Sequence, residues 1–464
     1  FFIIAYFVDA YEKKELPHFF KASAILALAA VVGVCVNISN LYHTYEYSKE
    51  TMRGKSELKQ EGPAANQTSS GLDRDYITNW SYGIGETLTL LVPNVKGGGC
   101  STTLSQNETA MAKANPMYGN LYSQLTPYFG DQPWTAGPVY VGAFVVFLFI
   151  LGCFIVKGPL KWALLGATIF SILLSWGKNF MGLTDFFIDY IPMYNKFRAV
   201  SSILVIAEFT IPLLAIFALK EILSKPDILK LKENRTGVIV TLVLTAGVAL
   251  ILAVAPGVSS SSFVTAQEIA TLEQVLPAES RAQHLAPIVA NLTEMRKAVV
   301  ASDAWRSFFI IVIGCVLLFL YQQRKLKASF TLAGIALLCL IDMWSINKRY
   351  LNDEQFVPKS KQTEAFVKTQ ADEMILQDTT LNYRVLNFIG FPGNTFNENN
   401  TAYWHKSVGG YHAAKLRRYQ EMIDHHIMPE MQETYQAVAT AGGQMDSVDA
   451  SKFRVLNMLN TKYF

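Results

Sequence analysis

The sequence predicts an α-helical protein that crosses a membrane several times and carries an α+β region outside it. Three observations support this prediction. Hydrophobic residues make up 51% of the 464 positions, which is more than a soluble domain of this length normally has. Apolar runs long enough to cross a bilayer recur along the chain. Positive charge gathers in short segments between them. The net charge is only +3, so composition gives no indication of a nucleic-acid partner.

Seven apolar runs reach the length of a membrane span, which is about 17–25 residues. They cover 20–38, 138–156, 160–176, 199–219, 236–255, 306–322 and 329–346. Residues 1–8 resemble the end of a further, partial span. Only KGPLK separates the second run from the third, so those two helices are predicted to be antiparallel neighbours. The chain begins inside an apolar run and ends on the strand-like NMLNTKYF, and we expect a fragment truncated at both ends.

Lys and Arg predict the orientation of the spans. Thirteen of them lie in the four short connections 9–21, 157–161, 220–235 and 321–328. Cytoplasmic loops carry such an excess. The long loops at 39–137, 177–198 and 256–305 are therefore predicted to lie outside. We divide the chain into a transmembrane core with these loops, 1–346, and an incomplete extracytoplasmic α+β domain, 347–464.

Local patterns predict secondary structure in the outer regions. Residues Ala266–Val299 have helical spacing of apolar positions. In the tail we expect a helix at Lys361–Leu376, a strand at Tyr383–Ile389 and a long helix at Gly410–Thr440.

The most informative segment runs from Trp176 to Leu219, where an aromatic, charged loop leads into a span predicted to open with Arg198. The charges of the loop are interleaved with aromatic side chains at one outer interface; they are Lys178, Asp185, Asp189, Lys196 and Arg198. Aromatic residues at this level often serve only as anchors, and the basic groups would then touch lipid headgroups. The functional alternative is a pocket for a lipid-linked phosphate, with Lys178, Lys196 and Arg198 binding the anion.

Carboxylates provide the candidate catalytic groups. Glu86 stands in the apolar stretch Tyr82–Pro93, where it would be either a general base near a substrate hydroxyl or a capping residue. Asp185 and Asp189 are further candidates for the same role. Glu208 would lie about three turns below Arg198 on one helix, as an intramembrane functional group or as the partner of a neighbouring helix.

The tail contains a segment rich in polar aromatic residues that suggests contact with a glycan. Its candidate residues are Trp404, His405, Tyr411 and His412. Adjacent histidines such as His425 and His426 diverge on a helix, so no metal site is predicted there.

Several segments taken together resemble the bacterial membrane protein family YfhO. They keep their order along the chain, and they read WSYGIGETLTLLVPN, IPMYNKFRAVSSILVIAEFTIPLLAIFALKEIL, LIDMWSINKRYLNDEQF, HKSVGGYHAAKLRRYQ and FRVLNMLNTKYF. The resemblance implies a fold like that of type C glycosyltransferases, located in the bacterial cytoplasmic membrane. Such an enzyme transfers a sugar from a polyprenyl-phosphate donor to a cell-envelope polymer or lipid on the outer face.

The implied partners are membrane lipid, a lipid-linked sugar and a cell-envelope glycan acceptor, with a divalent metal as a possible cofactor. The resemblance places the catalytic carboxylate in an outer loop that precedes this chain, so the base stays unassigned. Two alternatives remain open at this point. One is a transporter or flippase for a lipid-linked glycan, which Glu208 would suit. The other is a non-catalytic scaffold that binds envelope glycan.

Overall fold

The computed structural model of the chain describes residues 1–58, 66–68, 71–389, 391, 394–444 and 448–464. It is predominantly helical. Its α-helices are Phe2–Glu12, Leu16–Val36, Ile38–Glu50, Arg74–Thr78, Glu108–Met111, Gly119–Tyr122, Ala143–Ile155, Pro159–Ser175, Met181–Tyr190, Val205–Ser224, Lys232–Leu242, Val248–Val254, Ala266–Val275, Ala278–Gln322, Ala328–Tyr350, Gln370–Ile375, Asn400–Trp404, Arg417–Met422, Met428–Thr440 and Arg454–Met458.

Within the described residues, five helices are long and apolar enough to cross a membrane. They are Leu16–Val36, Val200–Ser224, Lys232–Val254, Arg281–Gln322 and Ala328–Gln355, where the ranges include short 3-10 and π turns. Each corresponds to a run predicted from the sequence. The other two predicted runs form shorter helices, Ala143–Ile155 and Pro159–Ser175. The second is followed by the helical segment Gly177–Tyr190 at an angle of 109°, as in a broken span or a re-entrant loop.

The chain forms two compact units. The first comprises 1–31 and 75–352, and the second comprises 32–74 and 353–464. The second unit thus takes the end of the first long apolar helix and the start of the long loop after it, in addition to the tail. Sequence patterning placed one boundary near residue 346 and drew none near 74.

The core of the first unit forms around helix Val205–Ser224. This helix packs against Ala143–Ile155 and Pro159–Ser175. Gly152 permits the close approach, because a methyl group at that position would lie 3.1 Å from Leu214 and 3.2 Å from Ala218. Small residues at helix contacts are typical of membrane proteins, where backbones must approach closely for van der Waals packing.

The described residues of the second unit form short helices and two strands. Strand Arg384–Val385 pairs in parallel with Thr461–Tyr463. Of the predicted strand Tyr383–Ile389, only Arg384 and Val385 form a strand, and the rest of the prediction is wrong. The predicted helix Lys361–Leu376 is divided into a 3-10 segment, Lys359–Phe366, and the helix Gln370–Ile375.

The predicted helix Gly410–Thr440 begins only at Arg417 and contains a π-helical turn at Ile423–Ile427. Apolar side chains from this helix and from the residues near both strands form the core of the unit, namely Leu386, Phe396, Val408, Ile423, Ile427, Met431, Phe453 and Leu456.

Candidate functional site

A polar cavity of about 570 Å³ lies in the first unit. Its walls come from three stretches, 79–133, 178–179 and 265–271. These belong to the three long loops that the sequence predicts on one side of the membrane. The lining side chains are mostly amides, hydroxyls and charged groups: Asn79, Cys100, Leu125, Thr126, Tyr128, Asp131, Gln132, Pro133, Lys178, Asn179, Thr265, Gln267, Glu268 and Thr271, with Gly130.

Glu86 lies beneath this cavity, and both oxygens of its carboxyl group accept hydrogen bonds. It lies in the first turn of the 3-10 helix Ile84–Leu90 and accepts a hydrogen bond from the backbone N–H of Gly83 at 2.6 Å. The Tyr128 hydroxyl donates to Oε1 at 2.5 Å. The residue is only 2% exposed. The capping role considered for Glu86 is therefore present in the structure, and the carboxyl lies below the cavity wall and not in it.

Asp131 presents the exposed carboxylate of the cavity. The Asn179 side-chain amide donates to its Oδ2 at 3.0 Å, and the Lys178 ammonium donates to its backbone carbonyl at 3.2 Å. An amide and a cation from another loop thus orient this residue, which lines the cavity. Sequence reasoning did not select Asp131, although its loop, FGDQPW, carries turn residues between aromatics.

The backbone bend at Gly177 brings Lys178 and Asn179 to the cavity. Gly177 has a φ of +44°, and a side chain there would overlap Ser81. The Ser81 hydroxyl accepts a hydrogen bond from the N–H of Lys178 at 2.8 Å. Glycine is therefore required both for the left-handed conformation and for the close contact. The bend turns the chain from helix Pro159–Ser175 toward Asp131.

A buried ion pair supports the opposite wall. Arg296 on helix Ala278–Gln322 is fully buried and pairs with Glu268 at 2.6 Å. The same guanidinium donates to the carbonyls of Phe263 and Thr126 at 2.6 and 2.7 Å. One side chain therefore joins two of the loops that form the cavity. Hydrogen bonds to several carbonyls offset the desolvation cost of burying this charge.

Arg198 lies beside two aromatic rings. Its guanidinium is 5.4 Å from the ring centre of Tyr76 and 5.3 Å from that of Trp80, and it donates to the Tyr76 hydroxyl at 2.7 Å. Such cation–π contacts fix the position of an arginine side chain against aromatic rings. One hydrogen bond links this segment to the cavity wall, since the Ser201 hydroxyl donates to Gln132 at 3.3 Å. The N–H of Ser201 donates to the carbonyl of Trp80, next to the lining residue Asn79, also at 3.3 Å.

Lys196 and Arg198 lie between two residues with left-handed backbones. Met193 and Ala199 have φ values of +67° and +62°, which are unfavourable for residues with a Cβ atom. The regular helix begins only at Val205. The prediction that Arg198 opens the helix that carries Glu208 is therefore wrong. Glu208 lies in the first turn of that helix and is exposed.

The structure separates the other predicted carboxylates from the cavity. Asp185 and Asp189 lie on helix Met181–Tyr190, half-buried and exposed respectively, and neither lines the cavity. Among the predicted site residues, Lys178 lines the cavity directly and Glu86 contacts two residues of its wall.

In the second unit, the residues suggested for glycan contact have different environments. His405 is buried, and its Nε2 lies 2.8 Å from Asp372. Trp404 is half-buried beneath the Lys368 ammonium, and it lines a separate cavity of about 330 Å³. Tyr411 and His412 are exposed, and the His412 ring accepts a hydrogen bond from the N–H of Ala414. These four side chains therefore do not form one surface.

Comparison of the chain with family models, curated proteins and solved structures gives no match. Within the described parts of the chain, no group of three or more His, Cys, Asp or Glu side chains has the arrangement of a metal site. The groups that the candidate site offers for chemistry include carboxylates, amides and a cation.

Proposed function

We propose that the chain is part of a membrane glycosyltransferase that takes its sugar from a polyprenyl-phosphate donor, with the architecture of the type C enzymes and the YfhO family. The acceptor would be a polymer or lipid of the bacterial cell envelope, on the outer face of the cytoplasmic membrane. The single observation that carries the proposal is a polar cavity with the oriented carboxylate of Asp131, whose wall residue Gln132 accepts a hydrogen bond from Ser201 at the start of a membrane span, three residues after Arg198.

The cavity fits a ligand with many hydroxyl groups. Its lining offers four amide side chains, from Asn79, Gln132, Asn179 and Gln267, and three hydroxyls from threonines, and these groups both donate and accept hydrogen bonds. Polar groups that converge in a concave site fix the orientation of a bound molecule. A sugar would use such a lining fully, whereas an apolar substrate would leave it unsatisfied.

The proposed reaction is a displacement at the anomeric carbon of the donor sugar. Asp131 takes the proton of the acceptor hydroxyl while the acceptor oxygen forms a bond to that carbon. The bond between the carbon and the phosphate oxygen breaks, and polyprenyl phosphate leaves with the electron pair. Lys196 and Arg198 stabilise the negative charge on the phosphate, and Lys178 adds positive charge at the cavity.

Reconstituted protein tests this proposal. Proteoliposomes that contain the protein would receive radiolabelled hexosyl undecaprenyl phosphate and an envelope glycan acceptor. We expect transfer of label, and a loss of about 10²–10⁴-fold in Asp131→Asn, because a general base contributes that much. The matched control is Asp189→Asn, which removes an exposed carboxylate outside the cavity. Binding of the donor without transfer by the unmodified protein would instead favour a scaffold, and equal rates in both variants would exclude Asp131 as the base.

A further inference from the structure

The carboxyl groups of Glu86 and Asp131 both lie close to Gly83. A methyl group at Gly83 would lie 2.9 Å from Oδ2 of Asp131 and 3.0 Å from Oε2 of Glu86. The two oxygens are therefore no farther apart than the sum of these distances. The N–H of Asp131 also points to Oε2 of Glu86, at 3.4 Å. Glu86 and Asp131 thus form a pair, one member buried and the other exposed to the cavity.

Glu86, the buried member of the pair, has no neutralising cation beside it among the described residues. Among the described residues, no Lys or Arg nitrogen lies within ion-pair distance of Glu86. Its donors are two backbone N–H groups and the hydroxyl of Tyr128, all of them uncharged. An adjacent pair of carboxyls does not ionise fully when one of them lacks solvent, and the proton stays on the member with the higher desolvation cost.

The titratable groups around Glu86 also favour a proton on Glu86 and not on Asp131. Those that interact with it electrostatically are Tyr82, Lys96, Cys100, Tyr128 and Asp131. Burial raises the pKa of Glu86; hydrogen bonds from Tyr128, Gly83 and Asp131 oppose this shift, and the charge of Asp131 adds to it. Lys96 donates to the Ser260 hydroxyl at 2.9 Å, and burial lowers the pKa of its ammonium group.

We infer that Glu86 carries a proton at neutral pH and that Asp131 is the ionised member of the pair. The pair then presents one negative charge to the cavity, beside Lys178. As far as catalysis is concerned, the inference rests on the proposed function, in which Asp131 accepts a proton. Glu86 is there a positioning residue. Its neutral form leaves the charge of the pair on the exposed carboxylate, where an acceptor hydroxyl meets it.

Infrared spectroscopy of the purified protein tests the protonation state without any substrate. A protonated carboxyl has a C=O stretching band separate from that of carboxylates. We expect this band at pH 7 in the unmodified protein, its loss in Glu86→Gln, and its retention in Glu273→Gln, a matched change at an exposed site. Absence of the band at pH 7, or its persistence in Glu86→Gln, would overturn the inference.

A second variant keeps the test decisive if Glu86→Gln does not fold. Asp131→Asn retains Glu86 and removes the neighbouring charge, so the band should disappear at a lower pH than in the unmodified protein. An unchanged titration would contradict the pairing. Both results are independent of sugar transfer. If transfer is absent and the band behaves as expected, the proposed function fails and the carboxyl pair stands.

A transfer assay then tests the positioning role. Glu86→Gln removes the titratable carboxyl, so the pH profile of the transfer rate should lose the contribution of Glu86, whereas Glu86→Asp should shift the pH dependence of the rate because it moves the carboxyl away from Tyr128. If the two variants lose activity equally with an unchanged pH profile, Glu86 supports only the structure of the loop.

Discussion

Arg349 donates two parallel hydrogen bonds to the carboxylate of Asp303, from Nη1 to Oδ2 at 2.7 Å and from Nη2 to Oδ1 at 2.8 Å. Asp303 lies on helix Ala278–Gln322 and Arg349 on Ala328–Tyr350. On the same two helices Arg306 donates to Asp342 at 2.5 Å, with the charges exchanged. The two crossed ion pairs fix the axial register of the helices, since a shift by one turn would separate both pairs.

Replacement of Arg349 by Ala should destabilise the first unit by about 3 kcal/mol, because it leaves the Asp303 carboxylate buried without a partner. The Asp303 side chain is only 4% exposed. Thermal unfolding in detergent would measure the change. The control is Glu294→Gln, which breaks the exposed pair of Glu294 with Lys297 and should cost no more than about 1 kcal/mol. Equal effects of the two changes would show that the Asp303 pair adds nothing to stability.

Gly130→Ala should destabilise the candidate site by about 1–3 kcal/mol through overpacking. A methyl group at this position would overlap the Glu86 carboxyl and the Tyr128 hydroxyl. We expect a lower unfolding temperature and loss of the protonated carboxyl band of Glu86. The matched control is Gly182→Ala on helix Met181–Tyr190, where a methyl group meets nothing within 4 Å. That change should stabilise the helix by about 0.5–1 kcal/mol. A neutral effect of Gly130→Ala would contradict the close packing around Glu86.

The sequence was sufficient to locate the long apolar helices and to predict that three long loops share one side. Both depend on features that are local to each segment, namely hydropathy and the distribution of Lys and Arg. The cavity is built from those three loops. The resemblance to the YfhO family and the sidedness itself stay predictions.

The sequence could not reveal which carboxylate faces the cavity. Glu86 is buried because Tyr128 covers it, and these residues lie 42 positions apart. The break before Val205 depends on the left-handed backbone of Ala199, a residue that normally favours helix. The extent of strand Arg384–Val385 depends on its partner near residue 461. In each case a distant contact outweighs the local preference.

The stability of the unmodified protein relative to Glu86→Gln should fall as pH rises. Burial raises the pKa of Glu86 above its ordinary value of 4.5, so the folded state binds the proton more tightly than the unfolded state does. The stabilisation is complete below 4.5 and is lost as pH rises through the raised pKa. Unfolding temperatures of both proteins between pH 4 and 8 would measure this effect. Parallel curves for the two proteins would show that Glu86 does not titrate differently on folding, and Glu273→Gln should follow the unmodified protein throughout.

Arg198→Ala should weaken the binding of undecaprenyl phosphate roughly tenfold or more, because hydrogen bonds to charged groups contribute about 1.5–3 kcal/mol. Native mass spectrometry of the protein in nanodiscs would measure the bound fraction. Arg198→Lys should have an intermediate effect, since an ammonium keeps the charge and loses the planar contact with Tyr76 and Trp80. The control is Arg235→Ala, an exposed arginine in a connection predicted on the opposite side. If Arg198→Ala and Arg235→Ala bind the lipid equally well, the phosphate is held elsewhere. Removal of the charge at Arg198 would then affect only the aromatic packing at the start of the span.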